Sequence, residues 1–158
     1  MQSDVLVSPP RTIMEVFKML PEGTRVELIN ETLYMSPATK TSHQRVIWKI
    51  ENQITRHTES IGGEVFFAPC DVYLDEVANA VQPDIIYIAE DQKEITHEDG
   101  IHGTPRLIIE VLSPGNQKSD KETKKKLYEK FGVAEYWIVD PATRQTIGYF
   151  LKERKKVC

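Results

Sequence analysis

The sequence has few cysteines, no long hydrophobic run and no excess of positive charge. Its two cysteines are Cys70 and Cys158, so we expect no structural disulfide and predict a cytoplasmic location, where thiols stay reduced. No apolar run reaches the length that spans a bilayer, and the N-terminus lacks the basic-then-apolar layout of a signal peptide. We therefore expect no membrane association. The formal net charge of −4 argues against a protein that coats nucleic acid non-specifically.

Several motifs that would indicate other functions are also missing. The four histidines are scattered, without HxxxH spacing or pairing with cysteine, so a zinc site is not expected. There is no GxSxG, P-loop or GxGxxG, which leaves hydrolase-elbow and nucleotide-binding functions without support. The sequence also lacks internal repeats and linker-like segments. Its length predicts a single domain over residues 1–158, with 1–10 as a loose N-terminal arm.

Hydrophobic periodicity predicts an α/β (α+β) fold, a mixed β-sheet flanked by helices. Three helices are expected: one over 11–20, a long one capped by Ser42 and stopped at Gly62, and one opened by a capping box at Ser119 and Glu122. Alternating residues on either side of Asn30 and Glu31 predict a β-hairpin. Six further strands are predicted at 64–68, 72–74, 84–88, 107–112, 135–140 and 146–151.

Two carboxylates lie in strands that are otherwise apolar. Asp84 opens the segment DIIYI, and Glu110 lies within LIIEVL between Ile109 and Val111. A lone charge is costly to bury, whereas two carboxylates that converge on a divalent ion are relieved of their mutual repulsion. The alternative is a structural ion pair between Glu110 and a core Arg or Lys. The spacing alone does not separate these two interpretations.

The helix after Glu110 contains several lysines, and helical periodicity separates them. At about 100° per residue, Leu127 and Tyr128 fall in the apolar arc together with Lys124, while Lys121 lies at its margin. The lysines outside the arc are Lys125, Lys126 and Lys130. Lys124 is therefore predicted to point inward near Glu110, with a snorkelling side chain as the alternative. The outward lysines are a solvated face or, as a second option, a phosphate-contacting surface.

Four segments of the chain resemble a known family. The segments ELINETLYMSP, QPDIIYI, LIIEVLSP and DKETKKKLYEKFGVAEYWIVDP resemble the Uma-two family of restriction endonucleases, a branch of the PD-(D/E)xK superfamily. The resemblance covers nearly the whole chain, and EVLSP followed by D…K…Y…GV.EYW.VDP is its most specific part. It implies a restriction-endonuclease-like core, a Mg²⁺- or Mn²⁺-dependent phosphodiesterase site acting on DNA, and a homodimer.

The resemblance also implies which residues form the site. Pro83 and Asp84 match the PD element, and Glu110 matches the acid of the (D/E)xK element. The residue two positions later is Leu112, so the literal motif is broken here. The family pattern supplies its lysine from the following helix, where Lys124 occupies the corresponding place.

Two polar residues outside these elements also match. Glu27 corresponds to the glutamate of the family's early hairpin, and His43 to a histidine at the start of the long helix. The usual family turn in that hairpin is Asp-Gly, whereas this chain has Asn30 and Glu31. Because Glu adopts a positive φ poorly, the sequence leaves the type of turn open.

The expected site combines these residues. Asp84, Glu110 and the Val111 carbonyl are predicted metal ligands, and Lys124 is predicted to stabilise negative charge on the phosphoryl group. Glu27 is a further predicted catalytic acid. Predicted substrate contacts are His43, Lys121 and Lys125.

Three functions are compatible with these residues. The leading hypothesis is a metal-dependent DNA endonuclease, favoured because Asp84, Glu110 and Lys124 are all present. The alternatives are a catalytically silent protein that keeps the fold for binding or scaffolding, and a nuclease that acts on RNA. A homodimer is expected from the family and from the apolar residues Tyr149 and Phe150 near the C-terminus.

Overall fold

The structure is a computed structural model that describes residues 9–114 and 117–151, with side chains omitted at 117–120. Most of the predicted N-terminal arm, residues 1–8, lies outside the described residues. The described α-helices are α1 (Ile13–Met19), α2 (Thr41–Ile61) and α3 (Gln117–Phe131), and a short 3₁₀ helix covers Glu90–Ile95. None of the helices in the described ranges combines the length and the apolar character that a membrane crossing requires.

The strands form two mixed sheets. In chain order they are β1 (Val26–Ile29), β2 (Thr32–Met35), β3 (Glu64–Phe67), β4 (Val72–Tyr73), β5 (Ala80–Val81), β6 (Ile85–Ile88), β7 (Thr96–His97), β8 (Gly100–His102), β9 (Leu107–Val111), β10 (Glu135–Asp140) and β11 (Gln145–Phe150). One sheet has the order β2-β1-β5-β4-β8-β7, and the other has the order β11-β10-β9-β6-β3. The predicted α+β class is confirmed, but the strands divide between two sheets and not one. Strands β5, β7 and β8 were not predicted, since two or three residues are too few for a periodic signal.

The predicted hairpin has a tight turn with positive φ at both central residues. Asn30 has φ 47° and Glu31 has φ 65°, which is typical of a type I′ turn. Two acceptors in a neighbouring loop hold this turn: the Asn30 N–H donates to the side-chain oxygen Asn79 Oδ1 at 2.9 Å, and the Glu31 N–H donates to the Ala78 carbonyl at 3.2 Å. These bonds offset the strain of placing a glutamate in the left-handed region.

The predicted caps of the two longer helices are wrong. Helix α2 begins at Thr41 with Lys40 as its N-cap, so Ser42 lies within the first turn. Helix α3 begins at Gln117, which places Ser119 inside the helix and not at its cap. Both helices start earlier than the serine that the capping preference selects, because cap preferences are weak signals beside the packing that sets a helix boundary.

Alternation along β1 places Glu27 on the side of the six-stranded sheet that faces the main core. Val26 and Leu28 face α1, where they pack against Phe17. Ile29 faces the main core, which contains residues of both sheets and of α3. Because side chains alternate along a strand, Glu27 projects to the same side as Ile29. Glu27 therefore points into the space between the sheets, near α3.

Candidate active site

A cavity of about 500 Å³ lies at one end of the space between the sheets. Residues from β1, β9, α2, α3 and the segment that follows β2 line it. It gathers nearly all of the predicted site residues: Glu27, His43, Asp84, Glu110, Val111, Lys121 and Lys124. Lys125 is the predicted residue that does not line this cavity.

Strand pairing brings the two predicted metal-binding acids together. Strands β6 and β9 are antiparallel with Ile85 opposite Ile109, so the next pair along the same register is Asp84 opposite Glu110. Side chains of directly opposite residues project from the same face of an antiparallel pair. The Val111 N–H donates to Asp84 Oδ2 at 2.7 Å, which fixes the aspartate at this edge. Both acids are buried, as the sequence predicted for this end of the sheet.

Lys124 is buried between two carboxylates. Its Nζ donates to Glu110 Oε1 at 2.9 Å and lies 3.0 Å from Glu27 Oε2. The Gln82 N–H donates to Glu27 Oε1 at 2.8 Å and holds that glutamate in place. The inward orientation predicted from the helical arc is therefore observed, and the snorkelling alternative does not apply to this buried ammonium.

Tyr128 is a further residue of the site that the sequence pattern indicated only as core. Its hydroxyl donates to Glu110 Oε1 at 2.9 Å, one helical turn after Lys124. Burial and the Glu110 charge raise the pKa of Tyr128 well above its usual value, so the hydroxyl stays protonated. The side chain therefore acts as a fixed hydrogen-bond donor that orients Glu110.

The charged groups of this cluster shift one another's pKa values. Burial raises the pKa of Glu110 to about 7; Lys124 opposes that rise, while the nearby Asp84 and Glu27 add to it. Burial disfavours the Lys124 ammonium, but the two carboxylates outweigh that effect and raise the pKa of Lys124. Lys124 thus contacts Glu27 and Glu110, while His43 lies beside Asp84. Carboxylates this close together favour uptake of a proton or of a further cation.

His43 supports the edge formed by Asp84 and Val111. The ring is buried, and Nε2 lies 2.8 Å from the Val111 carbonyl oxygen and 3.5 Å from Asp84 Oδ2. The hydrogen bond to Asp84 outweighs burial and raises the pKa of His43. Because Nε2 already makes these contacts, the geometry favours a role for His43 in positioning Asp84 and Val111 over the predicted contact with phosphate.

The two other predicted substrate contacts are placed differently from each other. Lys121 is half-buried and lines the cavity. Lys125 is also half-buried, but its ammonium lies 4.1 Å from the centroid of the Tyr149 ring, away from the cavity. The structure therefore brings Lys121 to the site and does not bring Lys125. Lys125 has an aromatic contact in place of the solvent exposure that the helical arc predicted.

The oxygen donors of the cavity fit a hard divalent cation. Within the described ranges, no three His, Cys, Asp or Glu side chains form a group that could hold a metal ion. Asp84, Glu110 and the Val111 carbonyl nevertheless supply oxygen ligands at one edge, and the hydrogen bonds above use one oxygen of each carboxylate. Mg²⁺ typically binds through one or two carboxylates, with water and phosphate oxygens completing its coordination. This donor set suits Mg²⁺ or Mn²⁺ and not zinc.

Buried polar atoms without a hydrogen-bond partner concentrate around the same cavity. Among the described residues they are Arg25 Nε, His43 Nδ1, Gln82 Oε1 and Thr96 Oγ1, and the first three belong to residues that line the cavity. Such atoms are uncommon in folded proteins and often mark functional sites. The sequence pattern did not indicate Arg25 or Gln82, because each is an ordinary polar residue beside a short strand.

The fold matches that of a solved structure. The match is to the "Crystal structure of a putative nuclease belonging to DUF820 from Anabaena variabilis ATCC 29413", with a TM-score of 0.73 and 18% sequence identity. It covers 92% of this chain and 82% of that chain. The fold is therefore that of a restriction-endonuclease-like α+β protein. Acidic residues lie at the ends of two adjacent buried strands of this fold.

The family follows from the sequence match. The model of the Uma2 family, described as "Putative restriction endonuclease", matches residues 14–157. The chain therefore belongs to the Uma2 family, and the family resemblance predicted from its sequence segments is confirmed. No curated protein matches the chain.

Proposed function

We propose that this protein is a Mg²⁺- or Mn²⁺-dependent endonuclease that hydrolyses phosphodiester bonds of DNA. The observation that carries the proposal is the position of Asp84 opposite Glu110 in a cavity where Lys124 is also buried. Membership of a family described as "Putative restriction endonuclease" supports the reaction class and DNA as the substrate. The fold is shared with a protein described as a "putative nuclease", which agrees with the reaction class.

The proposed ligands of the ion are Asp84, Glu110 and the Val111 carbonyl. When bound, a divalent ion polarises the phosphate and lowers the pKa of a coordinated water. Neighbouring groups orient these proposed ligands. The Val111 N–H donates to one oxygen of Asp84, and His43 contacts both Asp84 and the Val111 carbonyl. Such supporting contacts orient metal ligands, and losing one typically reduces affinity or activity by about 10- to 100-fold.

Lys124 is proposed to stabilise negative charge on the phosphoryl group during hydrolysis. Its raised pKa keeps the ammonium charged. Glu27 contacts Lys124 through both carboxylate oxygens, and Oε1 also accepts a hydrogen bond from the Gln82 N–H. Both oxygens of Glu27 are therefore already in use. We therefore assign Glu27 to positioning Lys124, in place of the catalytic role predicted for it from the sequence.

A cleavage assay tests the proposed function. The purified protein is incubated with labelled duplex DNA, single-stranded DNA and RNA of the same sequence, each with Mg²⁺, with Mn²⁺ or with a chelator. We expect cleavage of DNA that requires the metal. Metal-dependent cleavage confined to RNA would assign the site to RNA instead. A folded protein that cuts none of these substrates with either metal would support the silent binding or scaffold alternative.

We also propose that the protein is a homodimer, because cutting both strands of a duplex needs two sites or two encounters. In the described residues β11 is an edge strand, and it exposes 78% of Phe150 and 46% of Ile147. Light scattering at micromolar concentration is expected to give twice the mass of one chain. Phe150→Asp should shift the protein towards monomer.

The control for this prediction is Met35→Asp. Met35 is 72% exposed on β2, the edge strand of the other sheet, so it tests whether any apolar edge residue has the same effect. The mass should stay that of the dimer in this variant. A monomeric parent protein would refute the proposal.

A further inference from the structure

Arg25 lies on the wall of the candidate active site and is used by none of the interactions described above. It immediately precedes β1, and its carbonyl accepts the Ser36 N–H at 2.9 Å, which continues the pairing of β1 with β2. Because side chains alternate along an extended chain, Arg25 projects to the same side as Glu27. Its side chain lines the cavity together with Glu27, Asp84 and Glu110.

The Arg25 guanidinium has no hydrogen bond or ion pair with the side chains described in 9–114 and 121–151, and its Nε is buried. The side chain as a whole is half-buried. Two other cations of the described chain show the usual arrangement: Lys124 contacts two carboxylates, and Arg106 contacts Asp91 at 3.1 Å. A buried N–H of a charged group without an acceptor is unfavourable, so the position of Arg25 favours an anionic ligand.

The shape and charge of the surroundings indicate which anion fits. The planar guanidinium matches the oxygens of a phosphate group and can donate two parallel bonds to it. The charge of Arg25 is close enough to His43 to be among the influences that lower the pKa of His43, although the hydrogen bond that His43 donates to Asp84 dominates and raises it. Arg25 therefore lies beside the predicted metal-binding edge, on a wall where a nucleic-acid backbone entering the cavity would pass.

We propose that Arg25 binds the phosphate group of a nucleic-acid backbone in this cavity through its guanidinium. The inference rests on the proposed function for the identity of the ligand, but it concerns binding and does not require cleavage. Lys124 is held by Glu27 and Glu110. Arg25 has no such partner among the described side chains, so its guanidinium can contact a phosphate oxygen.

The test measures DNA binding under conditions where no cleavage occurs. The affinity of the full-length protein for a fluorescent DNA oligonucleotide is measured by anisotropy in the presence of a chelator, over a series of salt concentrations. Arg25→Met keeps an apolar stem and removes the guanidinium, and we expect affinity to fall about 10- to 100-fold. The slope of log K against log salt should become shallower by about 0.9 for duplex DNA, the value of one lost phosphate contact.

Two further variants separate phosphate binding from general charge and from a structural role. Arg25→Lys keeps the charge but not the planar fork, and should recover only part of the affinity. Arg56→Met removes an exposed arginine from the C-terminal half of α2 and should leave affinity and slope unchanged. The melting temperature of Arg25→Met should match or exceed that of the parent, because no ion pair is lost.

The outcomes distinguish this inference from the proposed function. Unchanged affinity and salt slope in Arg25→Met would overturn the role of Arg25, while cleavage by the parent protein would still stand. Arg25-dependent binding by a parent protein that cuts nothing would uphold the inference and reject the nuclease activity. A large drop in the melting temperature of Arg25→Met, with binding unaffected when the protein is folded, would assign Arg25 to the structure instead.

Discussion

Replacing Asp84 by asparagine is expected to lower the rate of metal-dependent DNA cleavage by about a thousandfold or more. Asparagine keeps a side-chain oxygen that can accept the bond from the Val111 N–H, now at 2.7 Å, so the fold should be retained. What is lost is the negative charge that a hard divalent cation requires of its ligand. The measurement is the single-turnover cleavage rate at saturating enzyme, with the melting temperature recorded in parallel.

The matched control is Asp91→Asn. Asp91 is a surface carboxylate that pairs with Arg106 at 3.1 Å, and its side chain is 77% exposed. An exposed pair contributes little to stability, so this variant should cut DNA at the parent rate. Parent-level cleavage by Asp84→Asn, in a protein that is folded and metal-dependent, would remove Asp84 from the site.

The second large effect is expected for Lys124→Met. Methionine preserves the apolar stem but leaves Glu27 and Glu110 buried without their shared cation. Cleavage should fall by about a hundredfold or more, since a charge-stabilising group is lost from the reaction. Stability should also fall, by about 3–5 kcal/mol, because breaking a buried ion pair leaves uncompensated charge.

The stability loss should depend on pH in a defined direction. Burial already raises the pKa of Glu110 from 4.5 to about 7, and removing Lys124 takes away the charge that opposes this rise. The folded variant then binds a proton at Glu110 that the unfolded chain has released. The contribution of Glu110 to stability is therefore fully present below pH 4.5 and is lost as pH rises through the raised pKa of Glu110. Thermal unfolding over a pH series measures this dependence.

Two comparisons separate catalysis from stability. Adding Glu27→Gln to Lys124→Met removes one of the unpaired charges and should recover part of the stability without restoring cleavage. Lys126→Met changes an exposed lysine of the same helix and should alter neither property. It is a better control than Lys125, whose ammonium contacts the Tyr149 ring. If the double variant regained both stability and cleavage, Lys124 would be a structural residue alone.

The parts of the site that could be predicted from sequence are those with a local signal. Asp84 and Glu110 interrupt apolar strands, and burial of a charge is unfavourable enough to mark both residues. Lys124 was indicated because helical periodicity places it on the same face as Leu127 and Tyr128, which the structure buries in the core. In each case one element of secondary structure carried the information.

The parts that could not be predicted depend on contacts between distant segments. The Gln82 N–H meets Glu27 across the pairing of β1 and β5, and β5 is only two residues long. His43 was matched to a position in the family, but its contact with Val111 arises only when α2 packs on β9. The cavity wall at Arg25 has the same origin, because strand pairing and not local sequence places it there.

We propose above all that Asp84 and Glu110 hold a divalent ion where the inner strands β6 and β9 of the five-stranded sheet end. Anomalous diffraction from a crystal grown or soaked with Mn²⁺ tests it most directly, because the position of the ion is observed without reference to activity. We expect a peak coordinated by one oxygen of each carboxylate, with Lys124 still bonded to Glu27. Mn²⁺ bound elsewhere in the protein, with Glu110 remaining closed against Lys124 and Tyr128, would contradict it.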